Sequence, residues 1–170
     1  MHRKPLALLA GLALVAATAS TALAHCQIPC GIYDDPVRFT QLREHVTTIE
    51  KSITQIQALS QEAEPNWNQI VRWVSNKEAH ADALTEIVTF YFLAQRVKPA
   101  DASDAAATAK YARQLALLHQ MIVHAMKAKQ TTDLEHCEHL RSLIDQFEAV
   151  YTGKKPAAAA HSHGPHTHTH

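Results

Sequence analysis

Residues 34–60 have the sequence DDPVRFTQLREHVTTIEKSITQIQALS, and the spacing of its apolar residues decides the fold. Seven apolar residues recur at steps of three and four: Phe39, Leu42, Val46, Ile49, Ile53, Ile56 and Leu59. This period predicts a helix with one apolar face. Asp34 or Asp35 can cap the start of the helix, and Pro36 suits its first helical position.

Three further segments show the same helical period. The second spans roughly 66–97, with a weaker stretch at Asn76 where the helix can bend, and its apolar side comprises Trp67, Ile70, Val71, Val74, Leu84, Ile87, Val88, Tyr91 and Val97. The third runs from about 103 to 129, with Tyr111, Leu115, Leu118, Ile122, Val123 and Met126. The fourth carries Leu134, Cys137, Leu140, Ile144, Phe147 and Val150. Thr132 and Glu135 match a capping box, and Gly153 can end the last helix.

No segment alternates with period two for long enough to predict a strand, and breakers such as Pro65 and Pro99 separate the helical segments. Four long amphipathic segments with short links predict an all-α protein, an antiparallel four-helix bundle over residues 36–153. The apolar faces are interpreted as its core.

The first 24 residues are typical of a secretory signal peptide. Arg3 and Lys4 precede an apolar run from Leu6 to Ala17, and Ala22-Leu23-Ala24 matches a signal-peptidase site. The run is shorter than the roughly 20 residues of a membrane-spanning helix. We therefore expect cleavage after Ala24, no membrane attachment afterwards, and a periplasmic or secreted protein. A buried N-terminal helix is the alternative.

Basic and acidic residues balance, with 16 of each in the whole chain. Because the signal segment carries basic and no acidic residues, the mature chain is slightly acidic, which disfavours nucleic acid or an anionic membrane as a partner. Residues 154–170 lack apolar periodicity and are predicted to be a disordered tail. Its five histidines suggest accessory nickel gathering, and an inert solvating tail is the alternative: His161, His163, His166, His168 and His170.

Signal cleavage would leave His25 at the N-terminus of a short hook, residues 25–35, which begins HCQIPCGIYD. A metal ion there meets the free amine of His25, the amide nitrogen and thiolate of Cys26, and the thiolate of Cys30. Two nitrogens and two thiolates in a plane suit Ni(II), and the His25 imidazole can reach an axial position. These anionic donors stabilise a higher oxidation state, which predicts redox chemistry.

The run His-Cys-x-x-Pro-Cys-Gly-x-Tyr-Asp resembles the metal-binding hook of nickel-containing superoxide dismutases. The resemblance implies that His25, Cys26 and Cys30 bind nickel and that Tyr33 lines the approach of superoxide. It also implies a four-helix bundle assembled into a homohexamer. Gln27 stands where many members have Asp, and only Lys98-Pro99 remains of a later motif of the family. Lys77-Glu78-Ala79-His80 resembles the stretch that supplies a partner for the axial histidine; His80 is the first candidate for that role and Glu44 the second.

Other features admit simpler interpretations. Cys26 and Cys30 can form a small disulfide in an oxidising compartment, and Cys137 on an apolar face is interpreted as a buried thiol. His136 and His139 share a helix face and could form a surface metal site, although solvated polar side chains are favoured there. His45, His119 and His124 are interpreted as structural or surface residues.

Two functions other than a dismutase remain open from the sequence. An exported nickel-binding or nickel-delivery protein would use hook and tail as ligands without enzymatic activity. A helical interaction module with a cysteine disulfide would show no metal dependence. The Tyr33 and Pro-Cys-Gly context favours the dismutase.

Overall fold

The computed structural model describes residues 33–154, and within that range the chain is helical and has no strand. Helix α1 spans Asp35–Ser60. Helix α2 spans Trp67–Glu86 and continues directly into a π-helical segment, Ile87–Arg96. Helix α3 spans Ala105–Gln130, and α4 spans Glu135–Thr152. The predicted signal peptide, the hook up to Ile32 and the tail from Lys155 onwards lie outside the described residues.

The four helices pack as a closed ring. The most extensive packing joins α1 to α2 and α3 to α4, and further contacts join α2 to α3 and α1 to α4. Each helix therefore contacts two others and buries its apolar face toward a shared interior, the arrangement of a four-helix bundle. No helix within residues 33–154 has the length and apolarity that a membrane crossing requires.

The predicted faces of α1 and α4 form the core. Six of the seven apolar positions named for α1 are buried, from Phe39 to Ile56. In α4, Cys137, Leu140, Ile144 and Phe147 are buried, together with Leu143. One end of the core is aromatic, because the rings of Phe39 and Phe92 lie 5.0 Å apart and those of Phe92 and Phe147 also 5.0 Å apart.

The predicted faces of α2 and α3 are partly wrong. Trp67 and Val71 are 68% and 62% exposed, and Met126 is 50% exposed. The buried positions of α3 are instead Gln114, Leu117, Leu118, Met121, Ala125 and Ala128. The large residues of α3 surround much of the helix, whereas the small residues Ala125 and Ala128 allow its close approach to the neighbouring helices. The spacing of large apolar residues alone therefore predicts a face of α3 that is rotated about the helix axis from the face that is buried.

Local hydrogen bonds and backbone conformation account for the ends of α1 and α4. The Asp34 side chain accepts from the Val37 amide at 3.1 Å, so Asp34 is the cap of α1 and Asp35 lies in its first turn. Gly153 ends α4 with φ of 71°, a left-handed conformation that glycine adopts without strain. The predicted capping box is wrong: the Glu135 amide donates to Asp133 at 2.9 Å, and no side chain caps the N-terminal residue Leu134.

Helical hydrogen bonding continues through Asn76, where the sequence allows a bend. The irregular part of this helix is the π-helical segment Ile87–Arg96. In the π-helical segment the Val97 amide donates to the Phe92 carbonyl at 2.8 Å, a bond that spans five residues. This geometry buries the adjacent Tyr91 and Phe92 completely. The helix ends at Val97 because Lys98 precedes a proline, which disfavours helical backbone.

Candidate metal centre

The predicted nickel ligands His25, Cys26 and Cys30 lie outside the described residues, as do the tail histidines 161–170. Tyr33 is the one residue of the predicted catalytic set that is described, and it is 40% exposed just before the cap of α1. Within residues 33–154, no group of three or more His, Cys, Asp or Glu side chains is already arranged to hold a metal ion.

The last residue of the hook, Asp35, is held by three residues from two other segments. The carboxylate accepts from the Tyr91 hydroxyl at 2.6 Å and from the Tyr151 hydroxyl at 2.8 Å. Arg96 donates to both of its oxygens, from Nε at 2.9 Å and from Nη2 at 2.7 Å. The first turn of α1 is thereby fastened to the π-helical segment and to α4. This is a bidentate, charge-assisted contact with two further donors, the strongest kind of hydrogen bonding available to a carboxylate.

The surroundings of Asp35 shift several ionisations. Burial, the largest single effect, raises the pKa of Asp35, but the hydrogen bonds from Arg96, Tyr91 and Tyr151 and the charge of Arg96 outweigh it and hold the pKa at about 2. Burial and the Asp35 carboxylate raise the pKa of Tyr151 to about 12, and they raise the pKa of Tyr91 as well. Both phenols are therefore neutral donors at physiological pH.

The two residues predicted as partners of the His25 imidazole, Glu44 and His80, lie in one surface cleft of about 580 Å³. The structure adds His45, whose Nδ1 lies 2.9 Å from Nδ1 of His80. At this distance one ring donates and the other accepts, so the two rings hold opposite tautomers. Burial lowers the pKa of His45, the charge of His80 lowers it further, and Glu44 opposes both. The contact with His80 is compatible with the interpretation of His45 as a structural residue and adds a partner that the sequence did not indicate.

A second histidine cluster joins α3 to α4. The ring centre of His124 lies 4.5 Å from that of His139 and 5.5 Å from that of His136. The three-residue spacing of His136 and His139 was visible in the sequence, but His124 is brought to them only by the packing of two helices. The structure therefore places His124 in one cluster with His136 and His139.

Cys137 is a buried thiol without a disulfide, as predicted. Burial, with a smaller effect from the charge of Glu50, raises its pKa to about 11. A buried, protonated thiol is a poor nucleophile and a poor metal ligand, so Cys137 is a core residue.

The comparison with family models decides the identity of the chain. The model for nickel-containing superoxide dismutase matches residues 20–155, which span the hook and all four helices. The chain belongs to the nickel-containing superoxide dismutase family. It is accordingly an enzyme, and its cofactor is nickel. No curated protein and no solved structure matches the chain.

The donor set of the hook fits this cofactor. An amine, an amide nitrogen and two thiolates provide soft and strongly donating ligands, and such ligands select late transition metals such as nickel over Mg²⁺ or Ca²⁺. Cys137 adds no further ligand, because it is buried on α4 and its thiol stays protonated. As a member of a superoxide dismutase family, the protein has superoxide as its expected substrate.

Proposed function

We propose that this nickel-containing superoxide dismutase disproportionates superoxide by cycling between Ni(II) and Ni(III). Two superoxide anions and two protons give one dioxygen and one hydrogen peroxide, so the protein gains no net electrons. The single observation that most supports the proposal is the family match, which begins before His25 and includes the whole hook. Nickel, when bound, supplies the one-electron redox step in each direction.

The ligands of the proposal are the residues of the hook. The amine and imidazole of His25, the amide nitrogen and thiolate of Cys26, and the thiolate of Cys30 would hold the metal. The amine is available only when His25 is the first residue, so peptide cleavage after Ala24 becomes part of the chemistry. Tyr33 lines the approach of superoxide, and its 40% exposure is consistent with contact to a solvent-borne anion.

Residues of the helices contribute positioning. The contacts of Asp35 fix the start of α1, and only Asp34 separates Asp35 from Tyr33. The family resemblance implies that His80 or Glu44 is the partner of the His25 imidazole, and such a partner on the second ring nitrogen would orient the ring and tune its strength as a donor. The shared cleft of His80 and Glu44 supports both candidates equally. The His45–His80 contact favours His80, because it engages only Nδ1 of that ring.

The decisive experiment compares two nickel-loaded chains, one starting at His25 and one with a single alanine ahead of it. We expect rapid superoxide dismutation by the first chain and nearly none by the second, because the extension converts the amine ligand into an amide. Equal nickel content in both chains, measured by elemental analysis, is the control. If both chains bind nickel and neither dismutates superoxide, the chain is an exported nickel-binding or nickel-delivery protein instead.

Export and assembly complete the proposal. We place the mature chain in the periplasm or outside the cell after removal of residues 1–24 by signal peptidase, and we propose a homohexamer. The exposed side chains of Trp67 and Val71, one turn apart on α2, support burial of this face in an oligomer. Light scattering of the mature protein tests the assembly: a Trp67→Glu variant that keeps the mass of the parent oligomer would remove this support.

A further inference from the structure

His124, His136 and His139 bring three imidazoles together between α3 and α4. The ring centre of His124 lies 4.5 Å from that of His139 and 5.5 Å from that of His136. A zinc–nitrogen bond is about 2.0–2.1 Å long, so three imidazoles around one tetrahedral ion have ring centres roughly 5 Å apart. The observed separations lie on either side of that value.

Two ring nitrogens of this cluster are buried without a hydrogen bond to any described residue. Nδ1 of His124 and Nδ1 of His136 are buried and have no hydrogen-bond partner among the residues that the structure describes. A buried polar atom without a partner costs free energy, and an ion or a water is a common explanation. A metal ion would satisfy both nitrogens at once.

The third ring is already oriented. Nε2 of His139 lies 2.8 Å from Oε1 of Glu135, one turn earlier on α4. A carboxylate in this position keeps the proton on Nε2 and leaves the lone pair on Nδ1, the arrangement that metal-binding histidines usually have. Nδ1 is therefore the nitrogen of each ring that a metal ion would use: it has no described partner on His124 and His136, and on His139 the other nitrogen contacts Glu135.

From this geometry we propose that His124, His136 and His139 form a site for a divalent first-row metal ion that imidazole favours, zinc above all. The site shares no residue with the predicted nickel ligands. In their described conformations these side chains do not form a group that could hold a metal ion, so the site requires rotation about the broad terminal torsion of histidine. Three protein ligands leave a fourth position for water.

Thermal unfolding of the mature chain holding one equivalent of nickel, with and without Zn²⁺, tests the proposal. A metal ion that joins two helices binds only the folded protein and so raises Tm, by about 5 °C at saturating zinc. Zinc held by residues 154–170 would bind folded and unfolded chains alike if that tail is disordered, as predicted, and would leave Tm unchanged. The hook is already filled with nickel.

The variants His124→Gln, His136→Gln and His139→Gln should each abolish the zinc-dependent rise. His119→Gln, which alters an exposed histidine on the same helix α3, should retain it. The rise is measured within each variant, so a change in basal stability does not obscure it. An unchanged Tm of the parent on zinc addition, or a rise that persists in the His124 and His136 variants, would overturn the site. Superoxide dismutation is measured separately and tests the nickel centre alone.

Discussion

The hydroxyl of Tyr91 donates a 2.6 Å hydrogen bond to the carboxylate of Asp35, joining the π-helical segment to the first turn of α1. The Arg38 guanidinium lies over the same phenol ring, 5.0 Å from its centre. The π-helical turn that buries Tyr91 thus also sets the position where the hook ends. Departures from α-helical geometry often accompany functional sites, and here the departure serves to hold one residue.

Replacing Asp35 by Asn should destabilise the protein by about 2 kcal/mol at neutral pH, because the charge-assisted bonds to Arg96 are lost and two tyrosine hydroxyls keep a weaker acceptor. Urea unfolding measures the difference. The matched control is Asp82→Asn, which removes an exposed ion pair with Lys129 and should cost well under 1 kcal/mol.

The same variant gives a pH signature. The pKa of Asp35 is lowered to about 2 in the folded protein, so its stabilising effect is complete above about pH 4 and is lost as pH falls through 2. The difference in stability between parent and Asp35→Asn should therefore shrink over that interval. A difference that stays constant down to pH 2 would mean that the contacts do not depend on the charge.

Much of the fold follows from the sequence because α1 and α4 separate apolar and polar residues cleanly. Phe39, Leu42 and Val46 lie at helical steps with polar residues between them, so only one face can be buried. Helix α3 is richer in Ala and Leu around its circumference, and the buried Ala125 and Ala128 carry too little apolar surface to mark the face. The helical period predicted for α3 is correct, but which face of this helix is buried depends on tertiary packing.

The candidate site, like the fold, has one part that the sequence predicts and another part that it does not. The nickel ligands proposed for the hook lie close together, between His25 and Cys30, and share a pattern, so they can be predicted without a fold. Asp35 contacts Tyr91, Arg96 and Tyr151, which follow it in the chain by 56, 61 and 116 positions. No local spacing in the sequence indicates these contacts. The exposure of Trp67 and Val71 could not be predicted from the sequence either, because apolar residues at helical spacing can be exposed as well as buried.

Lys77 provides a second test of stability. The side chain is only 3% exposed, and its ammonium donates to the carbonyls of Lys129 at 2.8 Å and Thr131 at 2.7 Å, at the end of α3. Lys77→Met should leave these carbonyls without their donor and destabilise the protein by about 1–2 kcal/mol, partly offset by removing a buried charge. Urea unfolding with the exposed Lys110→Met as control measures this. Equal midpoints for the two variants would contradict the capping role.

Replacing His80 by Gln should raise the pKa of His45. Burial lowers that pKa first and the charge of His80 lowers it further, so removal of His80 leaves only burial, opposed by Glu44. Titration of the His45 ring signals by NMR measures the shift. His119→Gln is the control, and it should leave the His45 titration unchanged. A pKa that falls in the His80 variant would mean that His80 acts mainly as an acceptor that stabilises the charged His45.

Cys137 should resist alkylation in the folded, reduced protein. Its thiol is buried and its pKa is raised to about 11, so little thiolate forms near pH 8. In the nickel-free chain, we expect only Cys26 and Cys30 among the three cysteines to react before unfolding and all three to react in urea. Mass spectrometry counts the labels. A Cys137→Ala variant should give the same native count as the parent, and a lower native count in that variant would place Cys137 among the reactive thiols.

The histidines of the tail predict an effect on metal loading rather than on chemistry. Neutral imidazoles bind Ni²⁺ readily, so five of them would raise the local nickel concentration available to the same chain. Deleting residues 157–170 should lower nickel occupancy when nickel is scarce and leave it unchanged when nickel is abundant. A full-length chain with these histidines replaced by serine separates ligands from length and should behave like the deletion. If both variants load scarce nickel as fast as the parent, the tail has no role in acquiring the metal, while dismutation by the loaded enzyme would be unaffected.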